Sequence, residues 1–308
     1  MSDIRSNLFG LYEKALPAYL SWEERLSLAK YAGYDFIEIS IDETEERMKR
    51  LDWSGEEKLD IINAIVKAEI PILTMCLSGN RRFPIGSKVA ETREKGIALI
   101  KKAVKFSIDL GIRVIQLAGY DEYYNESDET TAKNFMDAIY ECTDYAAQYD
   151  VMLAFETMDT DHMDSIQKAM FYVKKVKSPW LNVYPDIGNL SSKKVDIRSD
   201  FYAGRDHIVA IHLKDTREKE FRRVEFGEGV VDFIDFFKIL NEIQYKGPFV
   251  VEMWSDEDLD SIPDAKKAKE FLHEKMNIAL GPMVLSAKEN ESGFSAGICT
   301  GISIASDV

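Results

Sequence analysis

LAFET at residues 153–157 is a short apolar run that closes on a carboxylate, Glu156. Three later stretches repeat the pattern: YPDIG at 184–188 with Asp186, AIHLK at 210–214 with His212, and VVEMW at 250–254 with Glu252. Burying an unpaired charge is costly, so an apolar strand rarely ends on one without a reason. Four such endings imply that the charged groups converge. Three carboxylates and one imidazole suit a divalent cation such as Mn²⁺, Mg²⁺, Co²⁺ or Zn²⁺. With no cysteine in the set, a structural zinc site is not indicated.

Outward from these four, β-rich runs at 8–12, 36–42, 72–78, 113–120, 152–158, 182–189, 208–215 and 249–254 alternate with longer stretches of helical spacing. Leu59, Ile62, Ala64, Ile65 and Val66 show the helical spacing in one stretch, and Ile97, Ile100, Lys101, Val104 and Ile108 in another. Ser21 with Glu24 has the capping-box spacing, and Gly33 and Gly111 stand where helices end. Eight strand–helix units predict an α/β fold, a (β/α)₈ TIM barrel. A doubly wound sheet would usually open with a glycine-rich first turn, and GLYEKALP at 10–17 is not one. In a barrel the active site lies at the C-terminal ends of the strands, where the quartet falls. Strand parity puts Asp186 on the face of Tyr184, His212 with Ala210 and Lys214, and Glu252 with Val250 and Trp254. Glu38, Ser40 and Asp42, Cys76 and Ser78, and Gln116 fall in the same inward register. Phe36 and Ile37, a mixed pair, are expected with Ile115, Leu117, Phe155, Ile211 and Leu213 under the helices. The barrel is expected to span 1–280, with 281–308 an irregular tail, disordered or loosely docked, after Gly281-Pro282 stops the last helix.

Composition narrows the function classes. The net charge of −15 over 308 residues disfavours nucleic acid and anionic membranes as partners. No run reaches a membrane span, and MSDIRSNLFGLY lacks the apolar core of a signal peptide. Three sparse cysteines fit a reducing cytosol, so a cytoplasmic location is expected. An anionic ligand would need local cations: Lys14, Arg81, Arg82 and Lys214 are candidates, with Ser78, Asn80 and Asn189 as hydrogen-bonding partners. Adjacent arginines cannot both face inward from an extended segment, so one of Arg81 and Arg82 is expected to be structural. The loop at 226–229, FGEG, looks like a phosphate cradle but is better taken as a structural turn. Trp254 is expected to pack rather than stack on sugar, and His162, His207 and His273 to be structural.

SIDETEERMKRLDW at 40–53, CLSGNRRFPIGS at 76–87, IRVIQLAGYD at 112–121, HIVAIHLKDT at 207–216 and FGEGVVDF at 226–233, together with GLYEKALP and YPDIGNLS, resemble the xylose-isomerase-like superfamily. Within it they resemble the L-ribulose-5-phosphate 3-epimerase (L-xylulose-5-phosphate 3-epimerase) group of L-ascorbate and pentose utilisation. The resemblance implies one divalent metal on Glu156, Asp186, His212 and Glu252, a phosphorylated pentulose as substrate, and a homodimer. A C3 epimerase removes the proton beside a C2 ketone and returns one on the opposite face. Glu156 and Glu252 are the expected acid–base pair, with Asp186 and His212 as anchors. Alternatives are a ketose 3-epimerase or hydroxypyruvate-type isomerase on free sugars and, outside enzymes, a sugar-binding barrel. A DNA-repair endonuclease would need a histidine-rich site and a basic groove, against four histidines and a strongly acidic chain.

Overall fold

The computed structural model describes residues 3–257 and 261–282. The chain runs β1 (Phe9–Tyr12), α1 (Trp22–Tyr31), β2 (Phe36–Ile41), α2 (Glu45–Lys49), α3 (Gly55–Ala68), β3 (Ile72–Leu77), α4 (Ala90–Leu110), β4 (Val114–Ala118), α5 (Glu129–Ala147) and β5 (Met152–Glu156). It continues through α6 (Ile166–Val176), β6 (Leu181–Val183), α7 (Ile187–Ser192), α8 (Ile197–Gly204), β7 (Ile211–Leu213), a hairpin β8 (Asp215–Arg217) and β9 (Glu220–Val224), α9 (Phe233–Glu242), β10 (Phe249–Val251) and α10 (Ser261–Leu280).

Eight of the strands form one parallel sheet in the order β6-β5-β4-β3-β2-β1-β10-β7. The two outer members meet through bridges Val183 to Ile208 and Asp186 to His212, which close the ring. The caps fall where expected: Ser21 and Glu24 form a full capping box, and Gly33 and Gly111 adopt φ of +89° and +76° at helix ends. Of the tail expected at 281–308, Gly281 and Pro282 are described and 283–308 lie outside the described residues.

The core has two layers. Ile37, Ile39, Ile115, Leu117, Phe155, Ile211 and Leu213 pack beneath the helices. Tyr12, Phe36, Cys76, Ala154, Tyr184, Ala210 and Val250 fill the barrel interior. Phe36 is therefore inside the ring, not under the helices. Gly10 on the neighbouring strand makes room for it: a Cβ there would lie 2.3 Å from the ring of Phe36.

Two strands are shorter than their apolar runs. β6 stops at Val183 because Pro185 has no N–H for the ladder and Asp186 caps α7, accepting from Asn189 N at 2.9 Å. β7 gives way after Leu213 to the β8–β9 hairpin, which has no counterpart in the alternating strand–helix pattern.

Candidate metal centre

Each member of the quartet is delivered by a different element. Glu156 ends β5, Asp186 is the N-cap of α7, His212 is central in β7, and Glu252 follows β10. One ligand atom from each lies within 4.8 Å of the others, and all four side chains are buried.

His212 is held from both sides. Its Nδ1 is 3.1 Å from Glu156 Oε1, and its Nε2 is 2.6 Å from Glu38 Oε1. Glu38 is fixed in turn by the hydroxyls of Thr74 and Tyr184, each donating at 2.7 Å to Oε2. Lys214 Nζ donates to Glu252 Oε2 at 2.9 Å and lies 2.7 Å from Asp186 Oδ2. The second approach is off the hydrogen-bonding direction, so Asp186 Oδ2 is a buried carboxylate oxygen that accepts no hydrogen bond. Its one electrostatic partner is Lys214, which it shares with Glu252.

The electrostatics agree. Burial pushes the Asp186 carboxyl up to about 7, Glu252 and Glu156 adding to it against Lys214. At Glu252 burial acts upward too, but Lys214 and His212 outweigh it and hold the group at about 2. Burial would lower the His212 pKa, but Glu38, Glu156 and Glu252 drive it well above its ordinary value. The carboxylates of Glu38, Glu156, Asp186 and Glu252 thus face one ammonium and one imidazole. A divalent cation fits that imbalance, and its oxygen-rich donor set is of the kind hard cations take. Cys76 is buried nearby but is outside the set.

Glu156 and Glu252 open into a cavity of about 390 Å³, which Lys14, Ser78, Arg81, Asn189 and Lys214 also line. Their states differ. Lys14 Nζ is paired with Asp42 at 2.5 Å. The Asn189 side-chain amide donates to Thr157 O at 2.9 Å. Arg81 lies 5.6 and 5.2 Å from the ring centres of Tyr120 and Tyr123. Lys214, expected at an anion, is instead committed to Asp186 and Glu252 inside the quartet. Arg82 is outside the cavity: it pairs with Glu45 at the surface, because Gly79–Arg81 is a 3-10 turn that sends the two arginines apart. Asn80 is structural as well, bonded to the carbonyls of Phe83 and Gly96.

The FGEG loop cradles a carboxylate of the chain itself: the amides of Gly227 and Gly229 donate to Asp215 Oδ2 at 2.9 and 3.1 Å. Trp254 packs edge-on against Tyr12 at 6.2 Å and also lines the cavity. His162 bonds Tyr172, His207 bonds Asn182 and His273 packs on Phe9, so none joins the quartet. Glu38, Tyr120, Tyr123, Phe221 and Arg222 escaped the sequence reading as site residues. Glu38 and Tyr120 left a signal, their inward parity.

The chain matches the xylose isomerase-like TIM barrel family over residues 26–275. It is 48% identical over 267 residues to L-ribulose-5-phosphate 3-epimerase UlaE of Escherichia coli ATCC 8739, covering 87% of this chain and 94% of that protein. The chain belongs to the L-ribulose-5-phosphate 3-epimerase family. The fold is shared with D-allulose 3-epimerase from Methylomonas sp., at a TM-score of 0.73 and 20% identity over 87% of this chain and 97% of that one. It is shared also with an L-ribulose 3-epimerase, at a TM-score of 0.72 and 16% identity over 89% and 95% of the two chains. Among the described residues no helix is long and apolar enough to cross a membrane.

Proposed function

We propose that this protein interconverts L-ribulose 5-phosphate and L-xylulose 5-phosphate by epimerisation at C3, in pentose and L-ascorbate catabolism. The observation that carries the reading is the placement of Glu156 and Glu252 in one buried cluster and one cavity, with cations around the same walls. The family relationship supports it, since the UlaE relatives act on this phosphorylated ketose.

Glu156, Asp186, His212 and Glu252 would hold a divalent cation of the Mn²⁺, Mg²⁺, Co²⁺ or Zn²⁺ type. Such an ion supplies Lewis-acid stabilisation of the negative charge that develops on the ketose oxygens. The chain's own groups do the rest. One of Glu156 and Glu252 takes the C3 proton, leaving an enediolate, and the other delivers a proton to C3 from the opposite face. The roles exchange in the reverse direction. His212, pinned between Glu156 and Glu38, and Asp186, capping α7, keep the cluster in place. Lys214 offsets part of the carboxylate charge and orients Glu252.

The test is exchange in D₂O. Wild-type protein with added metal should incorporate deuterium at C3 of L-ribulose 5-phosphate, followed by NMR, and chelation should stop it. Glu156→Gln and Glu252→Gln should each lower turnover by about 10²–10⁴-fold or more, the span of a lost general acid or base. Near-normal turnover in either variant would remove that residue from the pair. Exchange at C1 in place of C3 would make the protein an aldose–ketose isomerase.

A further inference from the structure

Lys214 Nζ lies 2.7 Å from Asp186 Oδ2 and 2.9 Å from Glu252 Oε2, and both partners belong to the quartet. Asp186 has one oxygen to spare. Its Oδ1 accepts from the Asn189 amide at the start of α7, at 2.9 Å. That leaves Oδ2 as the oxygen open to a ligand bond, and it is the oxygen that Lys214 approaches. An ion on Asp186 and the ammonium of Lys214 therefore claim the same atom.

The fold holds the lysine in this place. Lys214 follows His212 by two residues, so strand parity turns both side chains to one face. The first turn of α7 closes on its stem: a Cβ on Gly188 would lie 2.7 Å from Lys214 Cγ. The residue is buried, and its ammonium stands 5.9 Å from the ring centre of Trp254. A buried ammonium is costly without counter-charge, and so are buried carboxylates. Here each offsets the other. Beside a divalent ion the same ammonium is a like charge and opposes binding.

We infer that Lys214 is an internal counter-cation of the metal centre: it holds Asp186 and Glu252 together in metal-free protein and competes with the incoming ion for Asp186 Oδ2, so that it sets the affinity of the site. Lys214 gives up Asp186 and keeps Glu252 when the ion binds. The quartet thereby stays assembled before loading, at the cost of a weaker grip on the metal. The inference rests on the quartet's holding a divalent ion, and its test needs no turnover.

Calorimetric titration of chelator-stripped protein with Mn²⁺ gives the affinity, and thermal unfolding of the same stripped protein gives its stability. Lys214→Met, which keeps the stem and removes the charge, should bind Mn²⁺ at least about tenfold tighter than wild type. Stripped, it should melt at least about 3 °C lower, since its buried carboxylates have lost their partner. Lys214→Gln, whose amide can still donate to the two carboxylates, covers the case of a Met variant that does not fold without metal, and it too should bind Mn²⁺ tighter. Lys214→Arg, which keeps the charge, should bind no tighter than wild type. Equal or weaker Mn²⁺ binding in the uncharged variants overturns the inference, as does an equal gain in Lys214→Arg or a stripped Lys214→Met as stable as wild type. A wild type that binds no Mn²⁺ overturns it together with the metal reading. If the uncharged variants bind tighter yet wild type exchanges no proton at C3 of L-ribulose 5-phosphate, the epimerase reading falls and the counter-cation stands.

Discussion

His212 meets a carboxylate on each ring nitrogen, Glu156 at Nδ1 and Glu38 at Nε2. The second contact fixes the ring's rotation, and with it which nitrogen faces the cluster. Partners of this kind, behind a metal-binding histidine, set ligand basicity and orientation. Glu38→Gln should therefore weaken metal binding by about 10–100-fold without unfolding the protein, because the amide keeps the volume and the Thr74 and Tyr184 contacts can persist. Titration of metal-stripped protein with Mn²⁺ or Zn²⁺ reads this directly; an affinity equal to wild type would mean that Glu38 does not position His212. Parity placed Glu38 on the inward face. Nothing in the sequence distinguishes it from Ser40 and Asp42, which share that face, because its partner stands 174 positions away.

At the scale of elements, the first turn after β1 shows how helices are tied to the barrel. Glu13 is fully buried, and Arg25 from α1, Arg47 from α2 and Arg50 from the turn after it converge on its carboxylate at 2.5–2.7 Å. Ser40 N donates to it as well, at 2.7 Å. Burial acts to raise the Glu13 pKa, but the three guanidinium groups outweigh it and hold the carboxyl below its usual range. Glu13→Gln would leave Arg25 and Arg50 facing no buried anion, and Arg47 only Asp42, 3.5 Å from its Nε. Removal of one partner from a buried ion pair costs about 3–5 kcal/mol, so urea unfolding should show a loss of that order. A change below about 1 kcal/mol, the range of surface pairs, would mean that the arginines find other acceptors. GLYEKALP carried the family resemblance, yet the work of its glutamate was invisible there. The arginines are 12, 34 and 37 positions away and on separate elements. The shortened β6 has a local cause that was visible, Pro185, whereas the hairpin's polar strands at 215–217 and 220–224 carry no apolar alternation to betray them.

Across the whole molecule, the quartet ties together the weakest place in the ring. β6 and β7 are joined by two isolated bridges rather than a continuous ladder, and one of those bridges is Asp186 to His212. An ion held by these two residues together with Glu156 and Glu252 would stitch the seam from both sides. Binding only to the folded state stabilises it by about 2.7 kcal/mol at a free concentration 100 times Kd. Chelation should accordingly lower Tm by about 5 °C or more at saturating metal, and re-addition should restore it. A melting temperature indifferent to chelator would count against a resident ion.

By itself the sequence determined the barrel, its two packing layers and the four side chains that meet at its mouth. These follow from local rules: apolar period, capping residues and strand parity act over a few residues and point every inward side chain the same way. Phe36 obeys the same parity, two residues before Glu38 on the inward face, where Gly10 on the adjacent strand leaves space for its ring. Only the tertiary structure decided the rest. It committed Lys214 to the quartet, turned Arg82 out to Glu45, set Glu38 behind His212 and brought Arg222 over the cavity. Each of those outcomes is a pairing between charges distant in sequence, and which charges pair depends on where the closed ring brings them, not on any pattern along the chain.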